Sequence, residues 1–161
     1  MTKKGGKEVI LLNELIKLQN NKLKYESHEI KGEEIHIRVK SKCKTVKCPY
    51  CGMKSKKVHS RYKRTYQEMP VSGKKVYIEL TVRKMFCANA TCGKKTFSEG
   101  YEYVGAKRKK SGKLEREIVN ISLNSSSTEA SKKLSRSTAK VSASTVIRLL
   151  KKMEYRQSTG K

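Results

Sequence analysis

Two short cysteine pairs stand out: Cys48-Pro49-Tyr50-Cys51-Gly52, and Cys87 with Cys92 followed by Gly93, about thirty-five residues further on. A thiolate needs a near neighbour at C-x2-C or C-x4-C spacing if both sulfurs are to reach one small cation. Two such pairs complete a tetrahedron at about 2.3 Å per Zn–S bond. The glycine after each pair lets the backbone curl and turn its N–H groups toward the sulfurs. The pattern is that of a zinc ribbon, with structural Zn(II) held by Cys48, Cys51, Cys87 and Cys92. Two other readings stand beside it: disulfides, or thiols left from a site that no longer binds metal. The chain shows no export signal, which disfavours disulfides and favours a reducing cytoplasm. Cys43 lies at C-x4-C spacing from Cys48, but the Cys48/Cys51 pair fills that half, so Cys43 is expected as a free thiol. His59 could be a ligand only in place of a cysteine and is expected to meet phosphate or base. His28 and His36 are expected as half-exposed strand residues.

The elements that must position the sulfurs are strands. Val58 to Tyr66 and Lys75 to Phe86 read as a long hairpin turned at Ser72-Gly73. Val76, Ile78, Leu80 and Val82 alternate with Tyr77, Glu79, Thr81 and Arg83, and this strand delivers the chain to Cys87. Pro70 is expected just outside the hairpin's first strand. Leu23 to Glu29 and Glu34 to Lys40 read as a further hairpin with Lys31-Gly32 at its turn. Glu8 to Asn20 has the apolar spacing of a helix.

The charge is lopsided. Lys and Arg number 39 against 14 acids, a formal net charge of +25. Such a chain repels itself unless it meets a polyanion, so nucleic acid is the expected partner. No long apolar run or lipidation motif suggests a membrane. Residues 40–64 carry ten Lys or Arg and no acid. Hydrophobic residues are 35% with no Trp, which favours small modules over one large core. All fourteen acids are Glu. A carboxylate cluster containing Asp, as in Mg2+-dependent two-metal nucleases and strand transferases, is therefore excluded from these residues.

From Gly105 to Gly112 the chain reads as a basic linker, with four consecutive cations expected to stay mobile or lie along phosphates. Beyond it, Leu114, Ile118 and Ile121 mark one helix. The capping box Ser126-Ser127-Thr128-Glu129 starts a second, with Ala130 and Leu134 inward. Residues 135–141 are expected as a connection, and Ser142 as the cap of a third helix over 143–153. That helix should turn Ala143, Val146, Ile147, Leu150 and Met153 inward and Ser144, Thr145, Arg148, Lys151 and Lys152 outward. Three short helices of this kind read as helix-turn-helix, with Ser144, Thr145 and Arg148 facing a major groove.

This order of parts resembles the N-terminal portion of ISL3-family insertion-sequence transposases. The resemblance is carried by Lys47-Cys48-Pro49-Tyr50-Cys51-Gly52, Val58-His59-Ser60-Arg61-Tyr62-Lys63-Arg64, Met69-Pro70, Val82-Arg83-Lys84-Met85-Phe86-Cys87, Cys92-Gly93 through Thr96-Phe97, and Val141-Ser142 with Ser144-Thr145-Val146 and Arg148-Leu149-Leu150. Glu68 stands where that family has Asp. The resemblance implies binding to terminal inverted repeats, while a downstream DDE domain using Mg2+ cuts and joins strands. The expectation is thus a non-enzymatic DNA-binding part of a truncated or split transposase, since the chain stops at Lys161 short of that domain. A stand-alone regulator or transposition inhibitor, and an RNA-binding zinc ribbon, are the alternatives.

The expected architecture is α+β in small modules. An N-terminal helix and β-hairpin occupy 1–41, the β-rich zinc ribbon 42–100, the basic linker 101–112, the helix-turn-helix 113–153 and a tail 154–161. Expected DNA contacts are His59, Arg61, Lys63, Arg64, Arg83 and Lys84 in the ribbon. Lys107, Arg108, Lys109 and Lys110 join them from the linker, and Ser144, Thr145, Arg148, Lys151 and Lys152 from the third helix. A homodimer through the first helix, or a full-length transposase, would be the protein partner.

Overall fold

The computed structural model describes residues 22–101 and 108–158. The helix expected over 8–20 lies outside them. Four strands form the main sheet, β1 (Leu23–Lys31), β2 (Glu34–Ser41), β5 (Val58–Val71) and β6 (Lys74–Phe86), in the order β1-β2-β6-β5; β7 (Thr96–Ser98) adds to β6. A two-stranded β3–β4 pair (Val46–Lys47 and Lys54–Ser55) lies between β2 and β5 in the chain. β6 is central because its alternation is the cleanest: Val76, Ile78, Leu80 and Val82 are all buried. They pack with Leu23, Ile37, Val39, Tyr66 and Tyr101 as the sheet's core.

The β2–β6 pairing is parallel, with Ile37 opposite Ile78 and Val39 opposite Leu80. This topology decides where the metal ligands go. Lys40 of β2 lies opposite Thr81, and Val58 of β5 lies opposite Met85, so β2 ends and β5 begins at the end of the sheet where β6 reaches Phe86. The segment crossing from β2 to β5 carries Cys48 and Cys51 past the mouth of β6, which emits Cys87.

Several local expectations shift. The first hairpin turns on Gly32-Glu33, since Lys31 pairs with Glu34; Gly32 takes the positive φ of 55°. The long hairpin turns on Ser72-Gly73 as expected, with φ of 49° and 74°, the signature of a type I′ turn. Pro70 sits inside β5, tolerated because β5 is an edge strand and its pairing slips between Glu68 and Val71. The division between 1–41 and 42–100 is crossed by the sheet, because the apolar faces of both hairpins are buried only together.

Three helices follow: α1 (Gly112–Ser122), α2 (Ser127–Ser137) and α3 (Ala143–Ser158). Ser111 and Ser126 cap the first two, accepting from the N–H of Leu114 at 3.1 Å and of Glu129 at 3.2 Å; Ser142 accepts from Thr145 N–H at 3.3 Å. α2 is one turn longer than expected at its C-terminal end, and the connection shortens to 138–142. α3 runs on into the expected tail. Its inward stripe is Val146, Leu149, Leu150 and Met153, with Ile147 43% exposed. Apolar residues at 146, 147, 149 and 150 fit two neighbouring stripes at helical spacing, and packing on Leu114, Ile118 and Leu134 selects the one through Leu149.

The basic linker is not a free tether where it is described. Gln67 N–H donates to Lys109 C=O and Ser111 N–H to Gln67 C=O, each at 2.9 Å, so 109–111 runs beside β5 like an added strand. Ser111 Oγ donates to the buried Glu68 carboxylate at 2.7 Å, Gln67 Nε2 to Thr138 C=O at 3.1 Å, and Lys75 Nζ to Ser135 C=O at 3.0 Å. Met69 packs into the helical core. Backbone groups that would otherwise be left unpaired at the edge of β5 take up the linker, and this seats the helices on the hairpin.

Candidate metal centre and nucleic-acid interface

Cys48 follows β3, and a tight knuckle brings Cys51 back beside it. Gly52 N–H donates to Cys48 C=O and Cys48 N–H to Met53 C=O, both at 2.9 Å, with Gly52 at φ 73°. On the other side Cys87 N–H donates to Lys95 C=O at 2.8 Å and Cys92 N–H to Asn89 C=O at 3.2 Å. The Asn89 side chain accepts from Thr91 N–H and hydroxyl at 3.0 and 2.8 Å, bracing the four-residue loop. The curl expected at Gly93 does not need glycine: its φ is not positive, and a Cβ there would meet nothing within 4 Å. The Asn89 turn bends the backbone instead.

The four sulfurs lie within 4.8 Å of one another, and Cys51 Sγ is 3.5 Å from Cys87 Sγ. Ligands of a tetrahedral zinc at 2.3 Å stand about 3.8 Å apart. All five cysteines are free thiols, so the disulfide reading fails. Cys43, half-buried, stands outside the group. Beneath the sulfurs Cys48, Met85 and Phe97 form a small core of their own, with Val46 and Val58 against it.

The electrostatics suit a cation. The Met53 N–H, helped by neighbouring thiols, lowers the Cys51 pKa to about 7, even against burial. Cys87 behaves oppositely. The Asn89 N–H favours its thiolate, yet removal from water and the adjoining sulfurs push it up to about 12. Four crowded sulfurs thus cannot all shed protons unless a positive ion takes their place.

The expected DNA contacts divide. Arg61 and Lys63 are exposed on the sheet's outer face with no ion pair among the described residues. His59 is exposed, its ring edge-on to Phe86 at 4.8 Å. Lys84 is half-buried opposite Ser60. Arg83 is engaged within the fold. Its guanidinium grips Glu99 twice, Nε at 2.8 Å and Nη2 at 2.9 Å, and also donates to Ser41 Oγ at 3.1 Å. The pair is 15% and 6% exposed, so this side chain is already committed to Glu99. Alternation along β6 assigned it to an open face; only the return of β7 brings Glu99 over it.

Arg64 donates to Arg108 C=O at 2.7 Å. Lys107 lies outside the described residues. Arg108 and Lys152 both approach Glu115, Lys109 is exposed and Lys110 is half-buried. On α3, Ser144, Arg148 and Lys151 are exposed, while Thr145 is half-buried. The hydroxyls of Ser144 and Thr145 already bond Ser142 Oγ, at 2.9 and 3.0 Å, so of this trio Arg148 is the side chain with no hydrogen bond to exchange among the described residues. Sequence reasoning missed Gln67, Glu68, Glu99 and Glu115, acceptors and donors whose partners include residues up to 71 positions away. The scarcity of acids was the available signal: a buried Glu needs a partner, a cation for Glu99 and Glu115 and the Ser111 hydroxyl for Glu68.

No helix among the described residues is long and apolar enough to cross a membrane. No curated protein and no solved structure matches the chain. Residues 44–92, which contain all four clustered cysteines, match the ISL3 zinc-ribbon model, described as the zinc-finger of transposase IS204/IS1001/IS1096/IS1165. The ribbon that offers this chain's structural Zn(II) site is thus similar to the zinc finger of those transposases, a likeness that points to a DNA-binding role in transposition.

Proposed function

We propose that this chain binds double-stranded DNA sequence-specifically, at the terminal inverted repeats of an insertion sequence, as the DNA-binding part of a DDE transposase. The observation that carries this reading is the coincidence of the transposase zinc-finger match with four converging sulfurs. α2 and α3 act as a helix-turn-helix, with the exposed face of α3 presenting Arg148 and Lys151 to the major groove. Arg61, Lys63 and the linker cations supply phosphate affinity. Strand cleavage is assigned elsewhere, because every acid in this chain is Glu and none joins a cluster of three or more metal-ligating side chains among the described residues.

Selection of bound duplexes from a random pool tests the reading directly: one recurring sequence is expected, and an unenriched pool would refute specificity. If about six phosphates are neutralised, log K should fall against log salt with a slope near −5. A complex indifferent to salt, or one that structured RNA displaces more readily than duplex DNA does, would overturn the proposal.

A further inference from the structure

Cations that the chain scatters over some ninety residues meet at one place. Arg108 Nη1 lies 3.2 Å and Lys152 Nζ 3.6 Å from the same oxygen, Oε2 of Glu115. Arg64, from β5, holds the Arg108 carbonyl at 2.7 Å and adds a third positive group. Lys110 follows on the linker; burial first, then the nearby Arg148 and Lys109, lower its pKa, and only Glu115 opposes them. A cleft of about 110 Å³ opens among Arg108, Glu115, Arg116 and Lys152 over an apolar floor of Val119 and Leu149.

This is an unbalanced cluster. Arg108 and Lys152 converge on a single carboxylate that is itself only 17% exposed, with Lys110 close enough to feel it. Fixed like charges repel, and the arrangement is relieved by an oxyanion whose charge adds to that of Glu115. Guanidinium and ammonium groups converging on one cleft suit a phosphate. α3 lines the cleft with Leu149, Lys152 and Met153, so a strand backbone leaving it would continue along the helix. A polyanion of regularly spaced phosphates fits that continuity better than an isolated acidic side chain.

We propose that Arg108 and Lys152 form one clamp for a nucleic-acid phosphate, and that Glu115 is its built-in counter-charge, giving up Arg108 and Lys152 when a phosphodiester enters. Glu115 thereby sets backbone affinity while touching no base. The inference rests on the DNA-binding reading and adds to it a site and a role for an acid.

The test uses the full zinc-loaded chain and a 30-base-pair duplex of arbitrary sequence, with affinity followed by fluorescence anisotropy across salt. Glu115→Gln removes the competing charge and is expected to tighten binding about fivefold, the scale of one or two exposed ion pairs. Arg108→Gln and Lys152→Gln should each weaken binding equally for all sequences and flatten the salt slope by about one. In the Arg108→Gln/Lys152→Gln background, Glu115→Gln should lose its effect, since its partners are gone. Zinc content and melting temperature of each variant verify the fold. Duplex binding that Glu115→Gln leaves unchanged or weakens sinks the clamp alone. Failure of the unaltered chain to hold any duplex sinks the DNA reading and the clamp together. Tightening of a poly-glutamate peptide but not of DNA by Glu115→Gln assigns the cleft to an acidic protein and overturns the proposal.

Discussion

Stripping zinc with a chelator, or Cys51→Ser, is expected to melt one end of the sheet and leave the other standing. The metal end has little else to hold it. Its apolar support is Cys48, Met85 and Phe97, two of its strands are two residues long, and β7 has three. Zinc contributes on the order of 10 kcal/mol of apparent folding free energy in comparable small modules. The larger core around Val39 and Leu80 contains none of the ligands and should survive. Hydrogen exchange checks this: amides of 46–58 and 87–98 should lose protection on chelation while those of β2 and the Lys75–Leu80 half of β6 keep theirs. Uniform loss, or none, would contradict it. Zinc affinity should also fall as pH drops below about 7, because binding needs thiolates and even Cys51, the most acidic of the pair at about 7, then carries a proton. Cys43→Ser should change neither affinity nor stoichiometry. Zinc titrations at pH 6 and 8 measure both.

Arg83→Ala is expected to cost about 3–5 kcal/mol, because it strands the Glu99 carboxylate in the protein with its cation gone. The pH dependence distinguishes this from a generic packing defect. Burial would raise the Glu99 pKa, but the Arg83 guanidinium and the Ser41 hydroxyl outweigh it and hold the carboxyl below its usual range. A depressed folded pKa means stability that is present above the unfolded value and lost as pH falls through the folded one. In the Arg83→Ala protein the sign reverses. Glu99 is then buried without its cation, its pKa rises, and stability declines as pH increases through the ordinary carboxylate range. Denaturant melts at pH 4.5 and 7 should therefore show the two proteins converging at the acid end. An equal deficit at both pH values would rule out the ion pair as the cause. DNA binding by folded Arg83→Ala should retain the salt slope of the unaltered chain, since this guanidinium is already committed to Glu99.

What could be read from the sequence was whatever neighbours in the chain decide. The cysteine spacings named all four ligands, the period-two run 76–82 placed the central strand, and Ser126 and Ser142 sit where local backbone geometry demands caps, while the Ser111 cap lay hidden in what reads as linker. Cys43 was legible as the odd thiol because the nearer pair already filled its half of a tetrahedron. The α2–α3 connection and the inward stripe of α3 were legible only to within a turn, because Ile147 and Leu149 are equally apolar and the helix's rotation depends on what it packs against.

The rest was settled by contacts between distant residues. Arg61, Arg83 and Arg108 are equivalent as sequence, three cations in basic stretches. Folding leaves Arg61 without an ion pair among the described residues, seals Arg83 onto Glu99, and draws Arg108 to Glu115 beside Lys152. Local chemistry thus determined the metal, the strands and the caps, because each depends on residues a few positions apart. The tertiary structure decided which charges are spent on the fold and which remain to meet an anion, because a cation's partner is chosen by sheet order and helix docking, and neither is written in its immediate neighbours.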